Sequence, residues 1–229
     1  MSQQRSWQAL WNSIAVRHPS DSVRASGRSP DRSDIRNDCR RIERFLDLSR
    51  GDKVLDVCCG NGIIARELAP FTLSWFGCDF SPEMLAAASR NRIANARFLI
   101  GVSTRLPFRD RSFSKVMLNA CLQHHTTEAA ITAVSEARRV CAPGGRIFVG
   151  DIPDRAQKRT FDRDTGFGCY RQLVSLGSQA KHFVSSQPRV NDTWFNRGWV
   201  LKFLGDAHWG VTIHGRDSPY RFDILLTWR

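Results

Sequence analysis

The 229-residue sequence contains no run of 18 apolar residues, so it predicts no transmembrane helix. Its first residues, MSQQRSWQAL, lack the order of basic, apolar and small residues that marks a secretory signal peptide. Hydrophobic residues make up 41% of the chain and charged residues 24%, a balance typical of one globular domain. We therefore expect a cytoplasmic protein without a membrane partner.

Metal-ligand spacing is missing from the cysteines. The seven cysteines stand at positions 39, 58, 59, 78, 121, 141 and 169. Their number is odd, and the sequence has neither C-x-x-C spacing nor a companion histidine cluster. This pattern disfavours zinc and a disulfide framework, and we predict no metal site.

Lysine is scarce, although the chain is strongly basic. Only five of its 34 basic residues are lysines and 29 are arginines, and the formal net charge is +12. Basic blocks of about five to eight residues are absent, and the arginines are spread from Arg5 to Arg229 rather than interleaved with aromatics in one segment. An ordinary solvated surface is the favoured interpretation, and a face that binds nucleic acid or another polyanion is the alternative.

Strand and helix patterns alternate through the middle of the chain. After a helix with Asp34 as its expected cap, short apolar runs alternate with helical patterns from KVLDV to RIFVGDI. This alternation predicts a parallel sheet with helices on both faces. The runs WGVTIHG and YRFDILLTW, joined by RDSP, predict an antiparallel hairpin near the end of the sequence.

Two segments depart from this alternation. Residues 1–33 combine the helical pattern SWQALWNSIA with a stretch rich in Ser, Arg and Pro, and we interpret them as an N-terminal lid or arm. Trp7 and Trp11 in this segment either cover a ligand or simply pack. Residues 154–190 are polar, rich in arginine and weakly periodic, which indicates a substrate-side insertion within a main domain of residues 34–229.

A glycine-rich loop follows the first predicted strand. In VLDVCCGNGIIA, Gly60, Gly62 and Ala65 fit G-x-G-x-x-A between a strand and a helix, and Asp79 stands nineteen residues after Gly60. The glycines let the backbone approach a ligand, and an acid at the end of the next strand can accept hydrogen bonds from ribose hydroxyls. Asp56 would repel a pyrophosphate but favours an ammonium and a sulfonium. S-adenosylmethionine is therefore favoured over a nicotinamide dinucleotide.

These motifs resemble those of the class I S-adenosylmethionine-dependent methyltransferases. VLDVCCGNG looks like the family's first motif, FGCDFSPEMLAAA like its second-strand motif, and EARRVCAPGGRIFVGD like the segment that enters its fifth strand. The resemblance covers residues 50–152 well and 192–229 more loosely. It implies S-adenosyl-L-methionine as the cofactor and a Rossmann-like, doubly wound α/β fold. The implied sheet has seven mostly parallel strands and an antiparallel C-terminal hairpin.

The resemblance also implies which residues contact the cofactor. Asp79 would hold the ribose. Val102 stands where the family often has an acid near the adenine, so Ser103, Thr104 or backbone groups would hold that base. The expected cofactor-binding residues are Asp56, Cys58, Gly60, Asn61, Gly62, Asp79, Phe80, Met84, Ser103, Thr104 and Asn119.

The adjacent cysteines of this loop raise a separate question. The family often has glycine where Cys58 stands, and from this difference we expect an ordinary φ at Cys58. Neighbouring cysteines form only a strained disulfide. We therefore expect Cys58 and Cys59 to be small, partly buried residues that permit close approach of a ligand, rather than a redox pair.

Three residues are candidates for acid–base chemistry. His124 and His125 follow the strand KVMLNACL at the edge where ligands of open α/β sheets bind, and histidine is the usual base near neutral pH. Either would act as a base or orient the acceptor; the alternative is a histidine at a helix start that bonds to the backbone. Asp151 ends the strand RIFVGD on the same edge. It would act as a base or as a ligand for acceptor hydroxyls; the alternative is a structural role in a helix cap or turn.

Several hypotheses remain for the acceptor. The leading one is methyl transfer to a small molecule or saccharide, at a hydroxyl oxygen, because CCGNG, GDIPD and YRFDIL resemble small methyltransferases of surface-polysaccharide and small-molecule biosynthesis. An RNA or DNA methyltransferase is the alternative, supported by the charge and opposed by the lack of an N-P-P-Y-type motif after the fourth strand. A non-catalytic cofactor-binding module or an NAD-dependent oxidoreductase comes last. No oligomeric state is predicted.

Overall fold

The computed structural model describes residues 3–17, 32–164, 193–204 and 206–229. Its helices are α1 (Gln3–Arg17), α2 (Arg32–Leu46), α3 (Ile63–Leu68), α4 (Pro82–Ser89), α5 (Thr127–Val140), α6 (Lys158–Asp164) and α7 (Arg197–Leu204). Single 3-10 turns occupy Ala69–Phe71, Leu122–His124 and Arg155–Gln157. Within these ranges, none of the helices has the length and apolar character needed to span a membrane.

The described strands form one mixed sheet of seven. They are β1 (Lys53–Val57), β2 (Ser74–Asp79), β3 (Ala96–Ile100), β4 (Phe113–Asn119), β5 (Cys141–Pro153), β6 (Trp209–Gly215) and β7 (Arg221–Trp228). Their order is β3-β2-β1-β4-β5-β7-β6. Strands β1 to β5 are parallel, and β7 is antiparallel to both β5 and β6. The predicted doubly wound fold with its C-terminal hairpin is confirmed.

This strand order creates a switch point between β1 and β4. The chain builds outward from β1 to β2 and β3, and then returns to the other side of β1 with β4 and β5. Ligands of doubly wound sheets bind outside the carboxyl ends of the strands at such a point. The loops after β1, β2, β3 and β4 all open at this side of the sheet, which we call the carboxyl edge.

The starts of α4 and α2 differ in how they relate to the local sequence. Ser81, a residue type that favours the N-cap, accepts a hydrogen bond from the backbone N–H of Met84 at 3.1 Å, and Pro82 follows as the first residue of α4. Helix α2, however, begins at Arg32. Asp34 therefore lies within the first turn of α2 and is not its cap.

The apolar face of α2 is buried against the sheet. Ile35, Cys39, Ile42 and Leu46 are between 0% and 7% exposed. The same stripe carries Asp38, whose exposure is only 2%. A buried carboxylate requires a charged or hydrogen-bonding partner, and Asp38 has both, at the carboxyl edge.

The two atypical segments are described only in part. Residues 18–31 of the expected arm and 165–192 of the expected insertion lie outside the described residues. Of the arm, helix α1 lies against α4. Of the insertion, the described portion consists of a 3-10 turn and α6.

Candidate cofactor and acceptor site

The loop after β1 has three residues in the left-handed backbone region. Cys58, Gly60 and Gly62 have φ angles of 61°, 54° and 70°. The expectation of an ordinary φ at Cys58 is therefore wrong. The backbone N–H groups of Cys58 and Cys59 both donate to the carbonyl oxygen of Cys78, at 2.8 and 3.2 Å, and these bonds hold the bend. A left-handed non-glycine residue costs about 1–2 kcal/mol, so such tertiary contacts must stabilise it.

The two glycines of the loop serve different purposes. A Cβ atom at Gly62 would lie 3.1 Å from both Ala88 and Phe98, so this position needs glycine for packing as well as for its φ. A Cβ atom at Gly60 would meet no described atom within 4 Å. The backbone at Gly60 therefore faces open space that a ligand can use.

Asp79 connects this loop to the turn after β2. Its side chain is buried, Oδ2 accepts from the N–H of Gly60 at 2.9 Å, and Oδ1 accepts from the N–H of Ser81 at 2.9 Å. Burial raises the pKa of Asp79, while the backbone hydrogen bonds act in the opposite direction. Each carboxylate oxygen has a second lone-pair site. Asp79 can thus accept ribose hydroxyls while it holds the loop, and this arrangement fits the predicted cofactor.

The paired cysteines are free thiols. A hydrogen bond with Cys121 and burial raise the pKa of Cys58, and burial raises the pKa of Cys59. Because the thiolate is the reactive form, raised pKa values make both groups poor nucleophiles and poor metal ligands. Their environment is that of small packed residues within the loop.

Ser103 and His125 join the loops after β3 and β4. Ser103 Oγ lies 2.6 Å from His125 Nε2, and His125 Nδ1 lies 3.1 Å from the carbonyl oxygen of Cys121. Since a carbonyl only accepts, Nδ1 carries the hydrogen and Nε2 accepts from the Ser103 hydroxyl. Burial lowers the pKa of His125, which favours this neutral ring, while the bond to Cys121 acts oppositely. Thr104 is half-buried next to Ser103.

His124 faces the N-terminal helix. Its ring centroid lies 4.3 Å from that of Trp7 and 5.6 Å from that of Trp11. Trp7 is buried and Trp11 is half-buried. The three rings form an aromatic cluster at the carboxyl edge, which we call the Trp–His cluster.

Helix α1 is also bonded to the turn after β2. Gln8 Nε2 donates to the carbonyl oxygen of Phe80 at 2.7 Å, and the Ser81 hydroxyl donates to Asn12 Oδ1 at 2.6 Å. Helix α1 therefore crosses the carboxyl edge and contacts the turns after both β2 and β4.

The remaining predicted cofactor residues differ in position. Asp56 in β1 and Asn61 in the glycine loop are each 3% exposed, and Asn119 ends β4 at 9% exposed. The Met84 side chain is 1% exposed, and its backbone N–H donates to Ser81 at the start of α4. Phe80 is half-buried beneath α1.

Asp151 belongs to a network of ion pairs beside the site. It has a left-handed φ of 63°, and its carboxylate lies 3.5 Å from Arg216 Nη1 and 3.2 Å from Arg221 Nη1. The N–H of Asp151 donates to the fully buried Asp223 at 3.0 Å, and Asp223 also pairs with Arg41 and Arg216. The Asp151 carboxylate is thus already paired with two guanidinium groups of the protein.

Two residues at the edge of the site are not singled out from the sequence. Arg216 Nη2 donates to Asp38 Oδ1 at 2.7 Å. Asp38 could have been identified from the sequence, because a carboxylate on the apolar stripe between Ile35 and Ile42 implies a buried partner. Arg216 could not have been identified in this way, since an arginine in the polar RDSP turn is what a solvent-exposed turn would also contain.

Comparison with known proteins agrees with this geometry. The family described as "Methyltransferase domain" matches residues 54–145. The demethylmenaquinone methyltransferase of Paenarthrobacter aurescens is 33% identical over 175 residues, which cover 74% of this chain and 67% of that protein. The protein of the same name from Beutenbergia cavernae is 32% identical over 166 residues, which cover 69% and 66%. The chain spans about half to two thirds of the length of the curated relatives that it matches. The matched region covers 47% of the relative from Corynebacterium efficiens and 67% of the one from Paenarthrobacter aurescens.

A solved structure supports the fold. Magnesium protoporphyrin IX methyltransferase from Synechocystis with bound S-adenosylmethionine has a TM-score of 0.66 at 14% identity, covering 100% of this chain and 98% of that one. At this identity the likeness concerns the fold alone, and the sequence relatives carry the assignment. They confirm the predicted family and, with it, the predicted cofactor: the chain belongs to the class I S-adenosylmethionine-dependent methyltransferases.

Proposed function

We propose that this chain transfers a methyl group from S-adenosylmethionine to a small aromatic acceptor of the hydroquinone type. The Trp–His cluster at the carboxyl edge carries this proposal, because aromatic side chains offer a flat apolar surface to a ring. The names of the relatives from Beutenbergia cavernae and Paenarthrobacter aurescens, both demethylmenaquinone methyltransferases, support it. A hydroxyl of a saccharide or another small molecule is the alternative acceptor, and the relatives lend no support to a saccharide or to nucleic acid.

Different residues of the carboxyl edge bind different parts of the cofactor in this proposal. Asp79 accepts the ribose hydroxyls, and the loop at Gly60 lies along the ligand. Ser103 takes the role of the acid missing at Val102, because its hydroxyl donates to His125 and leaves lone pairs for the adenine amine. When bound, S-adenosylmethionine supplies an electrophilic methyl group. The chain orients the reactants and excludes water, which can lower the barrier by up to about 7–11 kcal/mol.

The proton released during methylation needs an acceptor. Both ring nitrogens of His125 are bonded within the protein, and two arginines hold Asp151. The His124 ring lies against Trp7 and Trp11, where an aromatic acceptor would stack. In this proposal His124 takes the proton, and His125 positions Ser103.

The acceptor is tested by offering three classes of substrate side by side. The protein is incubated with methyl-labelled S-adenosylmethionine and reduced demethylmenaquinone, a set of monosaccharides, or total RNA. We expect label in the hydroquinone, with mass spectrometry of fragments distinguishing ring-carbon from oxygen methylation. Label confined to saccharides or RNA would overturn the proposal.

Truncation of Trp11 should affect the acceptor more than the cofactor. For Trp11→Ala we expect about a tenfold higher KM for the hydroquinone, equivalent to about 1.4 kcal/mol of lost aromatic contact. Affinity for S-adenosylhomocysteine should change less than about twofold, since the ring that Trp11 contacts, His124, follows β4, whereas the glycine loop follows β1.

The matched control for Trp11→Ala is Val16→Ala on the same helix. The Val16 side chain is 67% exposed, so its truncation should leave both constants unchanged. An equal loss of hydroquinone and cofactor affinity in Trp11→Ala would argue against an acceptor surface at the Trp–His cluster.

Cofactor affinity should decline at low pH through His125. Its pKa lies below the ordinary value of 6.5 because burial disfavours the charged ring. As the pH falls through that lowered pKa, Nε2 gains a hydrogen and no longer accepts from Ser103, so the hydroxyl loses its orientation. We expect affinity for S-adenosylhomocysteine to fall about fivefold, equivalent to one neutral hydrogen bond.

Calorimetric titrations between about pH 5 and about pH 8 measure this decline. Ser103→Ala should bind about fivefold more weakly at the upper limit and lose most of the pH dependence. Wild-type affinity that stays constant over the range would contradict the role given to His125.

A further inference from the structure

The strand order determines where the far end of the cofactor lies. With the ribose at Asp79 on β2 and the adenine at Ser103 after β3, the nucleoside occupies one side of β1. Strand β4 lies on the other side of β1. A ligand that crosses the glycine loop therefore brings its amino-acid end to the carboxyl end of β4, where Asn119 stands.

The Asn119 amide has a single permitted orientation. Its Nδ2 donates to Asp38 Oδ2 at 3.5 Å, and because a carboxylate only accepts, the amide cannot be reversed. Its Oδ1 then faces the opposite way, is buried, and has no hydrogen-bond partner among the described residues. A buried acceptor of this kind calls for a donor, and the ammonium of an amino acid is a strong one.

Glycine at position 150 maintains the space around this oxygen. A Cβ atom at Gly150 would lie 2.5 Å from Asn119 Oδ1, so a side chain at this position would displace the Asn119 amide. The β5 backbone thus approaches Asn119 without a side chain. Asn119 Oδ1 is held between β5 and the end of β4 rather than being free to rotate.

Arg216 holds the carboxylate on which this orientation depends. Its Nη2 donates to Asp38 Oδ1 at 2.7 Å, while its Nη1 lies 3.3 Å from Asp223 and 3.5 Å from Asp151. Three carboxylates therefore fix the guanidinium in one place. Asp38 in turn accepts from Arg216 with Oδ1 and from Asn119 with Oδ2.

We infer that Arg216 is a positioning residue, which acts through Asp38 to direct Asn119 Oδ1 toward the ammonium of the bound cofactor. The inference rests on the proposed cofactor orientation but not on the identity of the methyl acceptor. It extends the site to the β6–β7 turn through Arg216.

A pair of ligands separates this role from general support of the fold. S-adenosylhomocysteine carries the amino-acid end, whereas 5′-methylthioadenosine lacks it and keeps the nucleoside. In calorimetric titrations, Arg216→Gln should weaken S-adenosylhomocysteine binding about tenfold and change 5′-methylthioadenosine binding less than about twofold. Equal losses for both ligands, or no loss for either, would overturn the inference.

Further variants keep the test decisive if Arg216→Gln folds poorly. Asn119→Leu leaves the ion pairs intact and should cause the same ligand-selective loss, and adding Arg216→Gln to it should cause no further loss. Arg216→Lys, which keeps a cation for Asp38, should recover part of the affinity. Unchanged S-adenosylhomocysteine binding in Asn119→Leu would also overturn the inference.

Arg146→Gln is the matched control for removal of an arginine. Arg146 pairs with Asp47 at 3.3 Å and with the carbonyl oxygen of Phe45, away from the carboxyl edge. It should bind both ligands as the wild type does. Because no acceptor is present in these titrations, their outcome is independent of the hydroquinone assay.

Discussion

Replacement of Asp79 by alanine is expected to weaken S-adenosylhomocysteine binding at least about 100-fold. The variant loses the hydrogen bonds from the N–H groups of Gly60 and Ser81, each 2.9 Å long in the wild type. The two ribose hydroxyls would also lose their proposed acceptor, and hydrogen bonds to charged groups contribute about 1.5–3 kcal/mol each. Isothermal titration calorimetry measures the change.

Two further variants define the cause of that loss. Asp79→Asn keeps the shape of the side chain but accepts with only one oxygen, so we expect an affinity between those of wild type and Asp79→Ala. Asp110→Ala removes an acid that is 69% exposed and paired with Arg139, and it should leave binding unchanged. Wild-type affinity in Asp79→Ala would exclude Asp79 from the cofactor site.

Replacement of Asp223 by alanine should lower the free energy of unfolding by about 3–5 kcal/mol. Asp223 is fully buried, pairs with Arg41 and Arg216, and accepts the N–H of Asp151 at 3.0 Å. Its removal leaves two guanidinium groups without this anion and one backbone donor without an acceptor. Urea unfolding followed by tryptophan fluorescence gives the difference in free energy.

A surface ion pair provides the comparison for Asp223. Glu67 is 45% exposed and pairs with Arg66 at 3.1 Å. Exposed pairs contribute about 0–1 kcal/mol, so Glu67→Ala should unfold at nearly the wild-type urea concentration. If Asp223→Ala were as stable as Glu67→Ala, the buried network would contribute no more than a surface pair.

The sheet and the glycine loop could be predicted because they depend on short-range signals. Apolar runs, turn glycines and the cap at Ser81 each act over a few residues. The left-handed φ of Cys58 could not be predicted in this way. It depends on the carbonyl of Cys78, twenty residues away, which accepts from both Cys58 and Cys59.

The ion-pair network could not be predicted from the sequence for the same physical reason. Asp38, Asp151, Arg216 and Asp223 stand on α2, β5, the β6–β7 turn and β7, and only the folded sheet brings them together. The sequence indicated Asp151 as a possible base because it ends a strand at the carboxyl edge. The two guanidinium groups beside it could not be read from that position.

The pairing of Asp38 with Arg216 joins residues that are 178 positions apart. During synthesis, a nascent chain that has emerged only as far as β5 can form the parallel strands β1, β2, β3 and β4 and the glycine loop. It does not yet expose Arg216, the cation that pairs with Asp38. Contacts of this separation form late, because a long loop must close first. The polypeptide should therefore gain its full affinity for the cofactor only when the C-terminal hairpin has left the ribosome.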